Sequence, residues 1–330
     1  MKKILAIIFI NSMSNFASMA KKSAKIGLLL LLITTVSSLL FITDTSAEEL
    51  TTDEKLEILT KFAPRIWMDE NERYFPSSVE WMFPYVERYI PSGENKYWLK
   101  SKEALSSPSD RLSYFNGDLN SAKIYSYWVD KENGVTDITY WVFYPYNRGK
   151  SIIDTIWGNH VGDWEHISIR LNESYEPEQI YLPSHNFGEL YSWNEIEKVE
   201  NTHPIVYSAW GSHGHWKDPG VHTYKDLWIL GKLQDITSAG VAWDTWKSVD
   251  AYDYHQKEGL SGQEWPLWMN DDFTYTVPGM DPSDPASGAI YRWGNEADGC
   301  DFEFIAGECR LNNGPSGVVN RSIFTSPDLQ

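Results

Sequence analysis

Apolar and polar positions along this chain fall into short alternating runs, with few stripes of helical period. Residues 122–130 and 136–146 are rich in aromatic and β-branched side chains. The linker Lys131-Glu132-Asn133-Gly134 ends in an Asn-Gly step, which predicts a β-hairpin. A loop of about a dozen residues then leads into Gly158-Asn159-His160-Val161-Gly162-Asp163-Trp164-Glu165-His166-Ile167-Ser168-Ile169-Arg170, which reads as a strand from Glu165 onward. Residues 179–183 and 204–210 are further strands. The first ends at Ser184-His185, the second in the bend Gly211-Ser212-His213-Gly214-His215-Trp216.

Helical signals are brief. Thr52-Asp53-Glu54 before Leu56, Ile58 and Leu59 predicts a capped amphipathic helix ending before Pro64, and Ser77 or Ser78 starts a short one through Trp81. Residues 92–121 read as polar and turn-rich, with Ser106-Ser107-Pro108-Ser109-Asp110 as their loop, and 277–288 as a second loop. Tryptophans recur in 226–233, 239–247 and 264–270 on weak periodicity, and Asn313-Gly314-Pro315-Ser316-Gly317 is a tight turn. With neither βαβ rhythm nor internal repeat, the pattern predicts a mainly β fold. The expected architecture is one antiparallel β-sandwich domain over residues 48–330, decorated by short helices.

The first 47 residues change that picture only at the N-terminus. An apolar run over 26–42 follows Lys21, Lys22 and Lys25 and precedes Thr45-Ser46-Ala47, the pattern of a cleaved signal peptide, with Met19 as an alternative start. Export is therefore expected, with an uncleaved N-terminal membrane anchor as the alternative. The whole chain carries a net charge of −18. Residues 1–47 hold five lysines and one aspartate, so the remainder has 23 basic and 45 acidic residues, a net −22. Such a surface repels nucleic acid and anionic bilayers, and nucleic-acid binding is excluded. The two cysteines, Cys300 and Cys309, are expected to form a local disulfide in an exported protein. The acids around them, Asp298, Asp301 and Glu303, read as a solvated loop without EF-hand spacing.

Chemistry concentrates at the head of the central strand. Side chains alternate across a strand, so Asp163, Glu165, Ile167 and Ile169 share the inward face, and His160 stands across a glycine bend from both carboxylates. Buried carboxylates call for a compensating charge or hydrogen-bond donors, and the trio predicts a divalent-cation site. Simpler roles also fit: a turn cap for Asp163, an arginine partner for Glu165, a surface histidine at 160. Two acids at i, i+2 would also suit glycosidic cleavage, though that leaves His160 without a role. Should the strand ends be sheet neighbours, His185 and His213 join His160 at one mouth. Neither a phosphate-cradling glycine loop nor a Gly-x-Ser-x-Gly elbow is present.

Five motifs in order carry a family likeness: Ala63-Pro64-x-x-Trp67, Tyr74-x-Pro76-Ser77-Ser78-Val79-Glu80, His160-Val161-Gly162-Asp163-Trp164-Glu165-His166, Gly211-Ser212-His213 and Asn313-Gly314-Pro315-Ser316-Gly317. Together they resemble the vacuolar protein sorting-associated protein 62 family. A more distant similarity, carried by Tyr144-Pro145-Tyr146-Asn147 and the His160–His166 motif, is to the necrosis- and ethylene-inducing peptide-like toxins, secreted β-sandwiches that damage plant membranes. That resemblance implies cation ligands at His160, Asp163 and Glu165, with Asn147 in place of a further aspartate. A second histidine of the toxin motif is Gly162 here.

Oxygen donors with one imidazole favour Ca²⁺ or Mg²⁺, with Mn²⁺ also accommodated. The expected function is a secreted, divalent-cation-binding protein that recognises a glycan or membrane lipid headgroup, in the manner of a membrane-active toxin. Trp157, Trp164, Trp210 and Trp216 are expected to ring the ligand. The alternative is a metal-assisted hydrolase of a phosphoester or glycosidic bond, with His185 or His213 as general acid or base. A third role, an ion that only fastens a loop, predicts no activity.

Overall fold

The first helix, α1 (Thr52–Lys61), begins one residue earlier than its sequence cap implies. Thr51 Oγ1 accepts the Glu54 amide, and the Glu54 carboxylate accepts the Thr51 amide at 2.8 Å. Phe62 closes it, and strand β1 (Arg65–Met68) follows, burying Ile66 and Met68. Helix α2 (Val79–Met82) is capped by Ser78 Oγ, which accepts the Trp81 amide at 3.1 Å. The stretch read as loop after residue 92 contains a strand: β2 (Val86–Tyr89) pairs with β3 (Trp98–Ser101). Four residues are too few for alternation to declare itself.

The predicted hairpin forms from β4 (Ile124–Asp130) and β5 (Thr136–Asn147). The expected dozen-residue loop after it folds into a small ribbon, β6 (Lys150–Ile152) with β7 (Thr155–Trp157). The central strand β8 (His160–Leu171) starts five residues before Glu165 and runs antiparallel to β5. Next come β9 (Pro177–Ser184), β10 (Phe187–Ser192), β11 (Lys198–Val199), β12 (His203–Ser208) and β13 (His215–Trp216). The chain then adds β14 (Gly220–Asp226), β15 (Lys232–Thr237), β16 (Val241–Asp244), β17 (Val249–Asp253) and β18 (Glu258–Gly259). Weak periodicity in 226–247 had hidden the β14–β15 ribbon and β16.

This computed structural model describes residues 49–105, 112–152, 154–228, 231–301, 303 and 307–330. The expected signal peptide at 1–47 and the loop at 106–110 lie outside the described residues. Residues 51–330 form one compact unit with a mainly β architecture. One sheet has the order β10-β9-β8-β5-β4-β17-β18, and the other β11-β12-β1-β16 with β13 against β12. The antiparallel expectation holds for most neighbours, but β1 pairs parallel with β12 and β17 parallel with β4. In both cases one strand returns through a long excursion, which parallel pairing requires.

The larger sheet is covered on both faces. Toward the smaller sheet, the Tyr144 hydroxyl lies 3.3 Å from Ser208 Oγ, and that of Tyr140 donates to Leu59 O at 2.8 Å. On the opposite face Trp141, Phe143 and Trp164 pack with Trp268, Trp293 and Phe324 from the irregular C-terminal part. Two-sided burial explains why β5 is buried from Asp137 to Asn147 without a solvent-facing alternate. No helix among the described residues is long and apolar enough to cross a membrane.

Candidate functional site

Two glycines shape the head of β8. Gly158 (φ +87°) and Gly162 (φ +69°) take left-handed conformations, and a Cβ on Gly162 would lie 1.8 Å from Trp293 O. The turn at Gly162 breaks strict alternation. Val161 and Trp164 both enter the aromatic core, while His160 and Asp163 both line one cavity of about 650 Å³. His160 is thereby brought to the side of Asp163.

His160 Nδ1 lies 2.6 Å from Gly162 O, so its N–H donates to that carbonyl and Nε2 is left facing Asp163 Oδ1 at 3.9 Å. A ring held by a backbone carbonyl through one nitrogen, with the other nitrogen free, is the arrangement metal-ligating histidines adopt. The second Asp163 oxygen is 2.9 Å from Nδ1 of His213. Burial pushes the Asp163 carboxyl upward, but the His213 hydrogen bond and the charges of His160, His213 and Arg321 outweigh it and hold it below the ordinary carboxylate value.

Glu165 behaves oppositely. Its carboxylate opens onto the cavity, and no hydrogen bond or ion pair to it occurs among the described residues. Burial first, then the neighbouring Asp163, pushes its carboxyl well above the usual range, against the pull of Arg321. Arg321 lines the same cavity with its guanidinium 5.9 Å from the Trp141 ring, and its Nε has no partner. It approaches neither acid within 4.0 Å, so Glu165 is not locked to an arginine. Asn147 lies opposite His160 in the β5–β8 register and lines the cavity; its Nδ2 donates to Gly158 O at 2.9 Å. Among the described residues the trio of ligand atoms within 4.8 Å of one another is Cys300, Glu303 and Cys309, whose sulfurs are joined in the expected disulfide. The His160, Asp163 and Glu165 donors stand farther apart than that.

The two histidines expected at the mouth separate. β12 belongs to the facing sheet, so His213 reaches Asp163 across the sandwich; of the two strands, β9, which leads to His185, is the one that neighbours β8. His213 is fully buried, with its ring stacked 3.7 Å from Tyr144 and Nε2 donating to Tyr74 O at 3.1 Å. Both nitrogens are engaged, which removes it as a general base. His185 lines the cavity, and its Nε2 is 3.0 Å from Asp235 Oδ2. Asp235, missed in the sequence, is fully buried and also meets Lys150 Nζ at 2.7 Å, Ser212 Oγ at 2.8 Å and Trp216 Nε1 at 3.0 Å. Burial pushes its carboxyl up, yet His185 and Lys150 together pull it far below the normal value.

The expected tryptophan ring does not assemble. Trp157 lines the cavity, and Trp164 borders it while spending its ring on the core. Trp210 borders a separate hollow beside Asp69 and Glu72, with Arg148 4.5 Å from its ring, and Trp216 stacks on His222. Three further aromatic faces line the cavity beside Trp157: Tyr181, Phe187 and Tyr224. They come from β9, β10 and β14, elements whose contacts no local spacing reveals. The disulfide loop buttresses the rim: Gly158 N donates to Cys309 O at 2.8 Å, and Glu308 and Asn312 line the wall.

Two Saccharomyces cerevisiae proteins are similar in sequence. Vacuolar protein sorting-associated protein 62 is 33% identical over 159 residues, covering 44% of this chain and 33% of that protein. The putative vacuolar protein sorting-associated protein TDA6 is 28% identical over 230 residues, covering 60% and 48%. This chain thus spans between a third and a half of the length of these curated relatives. Among solved structures, Necrosis and Ethylene inducing Protein 2 from the agent of cocoa's Witches Broom disease is 16% identical with a TM-score of 0.35, covering 66% of this chain and 81% of that one. NLPPya in complex with mannosamine is 17% identical with a TM-score of 0.34, covering 63% and 77%. The chemistry of the site therefore rests on this chain's own residues. Residues 43–265 match the family model described as vacuolar protein sorting-associated protein 62, well over half of the sequence, and the chain belongs to that family.

Proposed function

We propose that this chain is an exported, cation-dependent binding protein whose cavity takes a glycan or a polar lipid headgroup. One observation carries the reading: Glu165, half-buried beside Asp163, presents a carboxylate without a hydrogen-bond partner among the described residues to the cavity into which His160 Nε2 is also turned. A carboxyl whose proton affinity is raised by burial and by a neighbouring carboxylate is one whose ionised form a divalent cation would favour. His160 Nε2, Asp163 Oδ1, Glu165 and the Asn147 carbonyl oxygen would hold the ion, Glu165 being drawn inward. Three oxygens and one imidazole suit Ca²⁺, Mg²⁺ or Mn²⁺. The ion would supply charge for hydroxyl or phosphate oxygens. Tyr181, Phe187, Tyr224 and Trp157 offer faces for the ligand's apolar side. The volume lies within the range of small-ligand sites, roughly 300–1,000 Å³.

The test is binding of the full chain to a glycan array and to liposomes of defined headgroup, with Ca²⁺, Mg²⁺ or Mn²⁺ and with EDTA. Binding that requires the ion and disappears in Glu165→Gln is the expected result. Binding indifferent to both defeats the proposal.

A second reading, metal-assisted hydrolysis of a phosphoester or glycosidic bond, draws on the orientation of His185 by Asp235 at the same cavity. Turnover of generic substrates that falls in His185→Gln, with headgroup binding retained, would favour it.

A further inference from the structure

Arg321 brings a positive charge to the cavity wall, and no hydrogen bond or ion pair engages its side chain among the described residues. It stands in extended backbone between two 3-10 turns, Val318–Asn320 and Ser322–Phe324, and its amide donates to Val318 O at 3.2 Å. Val318, Ile323 and Phe324 on either side are buried in the aromatic core, so the main chain that carries the guanidinium is fixed. Its Nε is buried without a partner, and two ring nitrogens from the same wall share that condition, Trp164 Nε1 and His166 Nε2. All three residues pack about the Trp141 indole. The His166 ring is stacked 4.4 Å from it, the Arg321 guanidinium lies at 5.9 Å and the Trp164 ring at 6.5 Å.

Buried polar groups of this kind call for a partner. Water would serve the two ring nitrogens, but it neutralises no charge. A guanidinium does not give up its proton, and an aromatic face at that distance offsets little of the cost of burying it. Of the acids lining the cavity, Asp163 and Glu165 act on Arg321 from beyond ion-pair distance, and Glu308 accepts from Asn312 on the disulfide loop. An ion shared by Asp163 and Glu165 would cancel the charge of both and leave the guanidinium without a counter-charge nearby.

We propose that Arg321 receives an oxyanion of the ligand, a phosphate or a carboxylate, so that the cavity selects acidic ligands over neutral ones. The planar fork of a guanidinium matches either group through two parallel N–H donors. A chain of net charge −18 repels small anions in general, so an anion that it retains reports on a local site. This names the ligand class for the cavity proposed above and rests on that cavity being the binding site, but not on the cation.

Calorimetric titration of the full chain would compare glucose, glucuronate, glucose 6-phosphate and glycerol 3-phosphate, each with Mg²⁺ and with EDTA. The best anionic probe should bind at least about tenfold tighter than glucose, and Arg321→Met should remove that preference. Glycerol 3-phosphate bound above both sugar acids points to a lipid headgroup, and the reverse order to an acidic glycan. Arg321→Lys keeps the charge without the fork and should retain part of the preference, which covers a loss of fold in Arg321→Met. Equal affinity for neutral and anionic probes, or a preference undiminished in both variants, overturns the proposal. A preference that depends on Arg321 and persists in EDTA supports it and sinks the cation reading alone. Mg²⁺ bound by a chain without anionic preference sinks this inference and leaves the cation reading standing.

Discussion

His213 Nδ1 lies 2.9 Å from Asp163 Oδ2, and this contact ties the bend after β12 in one sheet to the head of β8 in the other. The Tyr74 carbonyl and the Asp163 carboxylate flank the ring, and each calls for an N–H. His213 thus holds one carboxylate oxygen in place and leaves the other to the cavity. In chelator, His213→Ala strands a buried carboxylate and should cost about 3–5 kcal/mol in urea unfolding. A loss below about 1 kcal/mol would mean that the pair does not brace the site.

Asp235 organises the opposite wall. Asp235→Ala removes the acceptor of Lys150, His185, Ser212 and Trp216 at once. Unfolding by urea should show a loss of about 3 kcal/mol or more, larger than for Lys150→Met, because buried Ser184 and Ser212 lose their acceptor together with half-buried Lys150 and Trp216. Equal losses in the two variants would show that Lys150 alone matters.

Acid should weaken the fold before any carboxylate of ordinary value titrates. Burial lowers His166 from 6.5 to about 3 and His215 to about 4. Both stay neutral in the folded protein while the unfolded chain takes up protons. Their stabilising share is whole above pH 6.5 and is lost as pH falls toward about 4. Metal-free Glu165 has the opposite sign: its raised carboxyl binds a proton first in the folded state, which gains stability as pH falls toward 4.5. Glu165→Gln removes that opposing contribution. In this variant, with chelator, stability at pH 5 should lie about 2–4 kcal/mol below that at pH 7. Stability that is flat or rising toward pH 5 would contradict the burial of neutral histidines.

Much of this was readable from local order. The hairpin at residues 131–135, the Ser78 cap and the inward face shared by Asp163 and Glu165 follow from turn chemistry and strand period, which act over a few residues. The family likeness was legible too, since it sits in short motifs. What escaped is non-local. Asp235 is one acid among 46 acidic residues, and only the β14–β15 ribbon brings it beneath His185. Arg321 comes to the cavity from the C-terminal segment, which Arg170 and Lys131 meet at Pro327 and Ser326 from far away in sequence. Trp164 and Trp210 looked like a binding platform by composition alone, which cannot separate a stacking face from core packing.

The contact of Arg170 and Lys131 with that segment is itself testable. Buried Asp137 accepts two hydrogen bonds from Arg170, at 2.9 and 3.0 Å, and lies 3.6 Å from Lys131 Nζ. Arg170 also donates to Pro327 O, and Lys131 to Ser326 O, each at 2.9 Å. Asp137→Asn should speed amide exchange across residues 321–330 by about tenfold or more, with β8 still protected. Unchanged exchange there would show that the C-terminal segment is held by its apolar contacts.

Calorimetric titration of chelator-stripped protein with Ca²⁺, Mg²⁺ and Mn²⁺, read against elemental analysis of the purified chain, bears most directly on the central claim. One ion per chain is predicted, with a rise in melting temperature that is lost in Asp163→Asn and Glu165→Gln. A purified chain that holds no ion, releases no heat on titration and melts identically with and without chelator would contradict it.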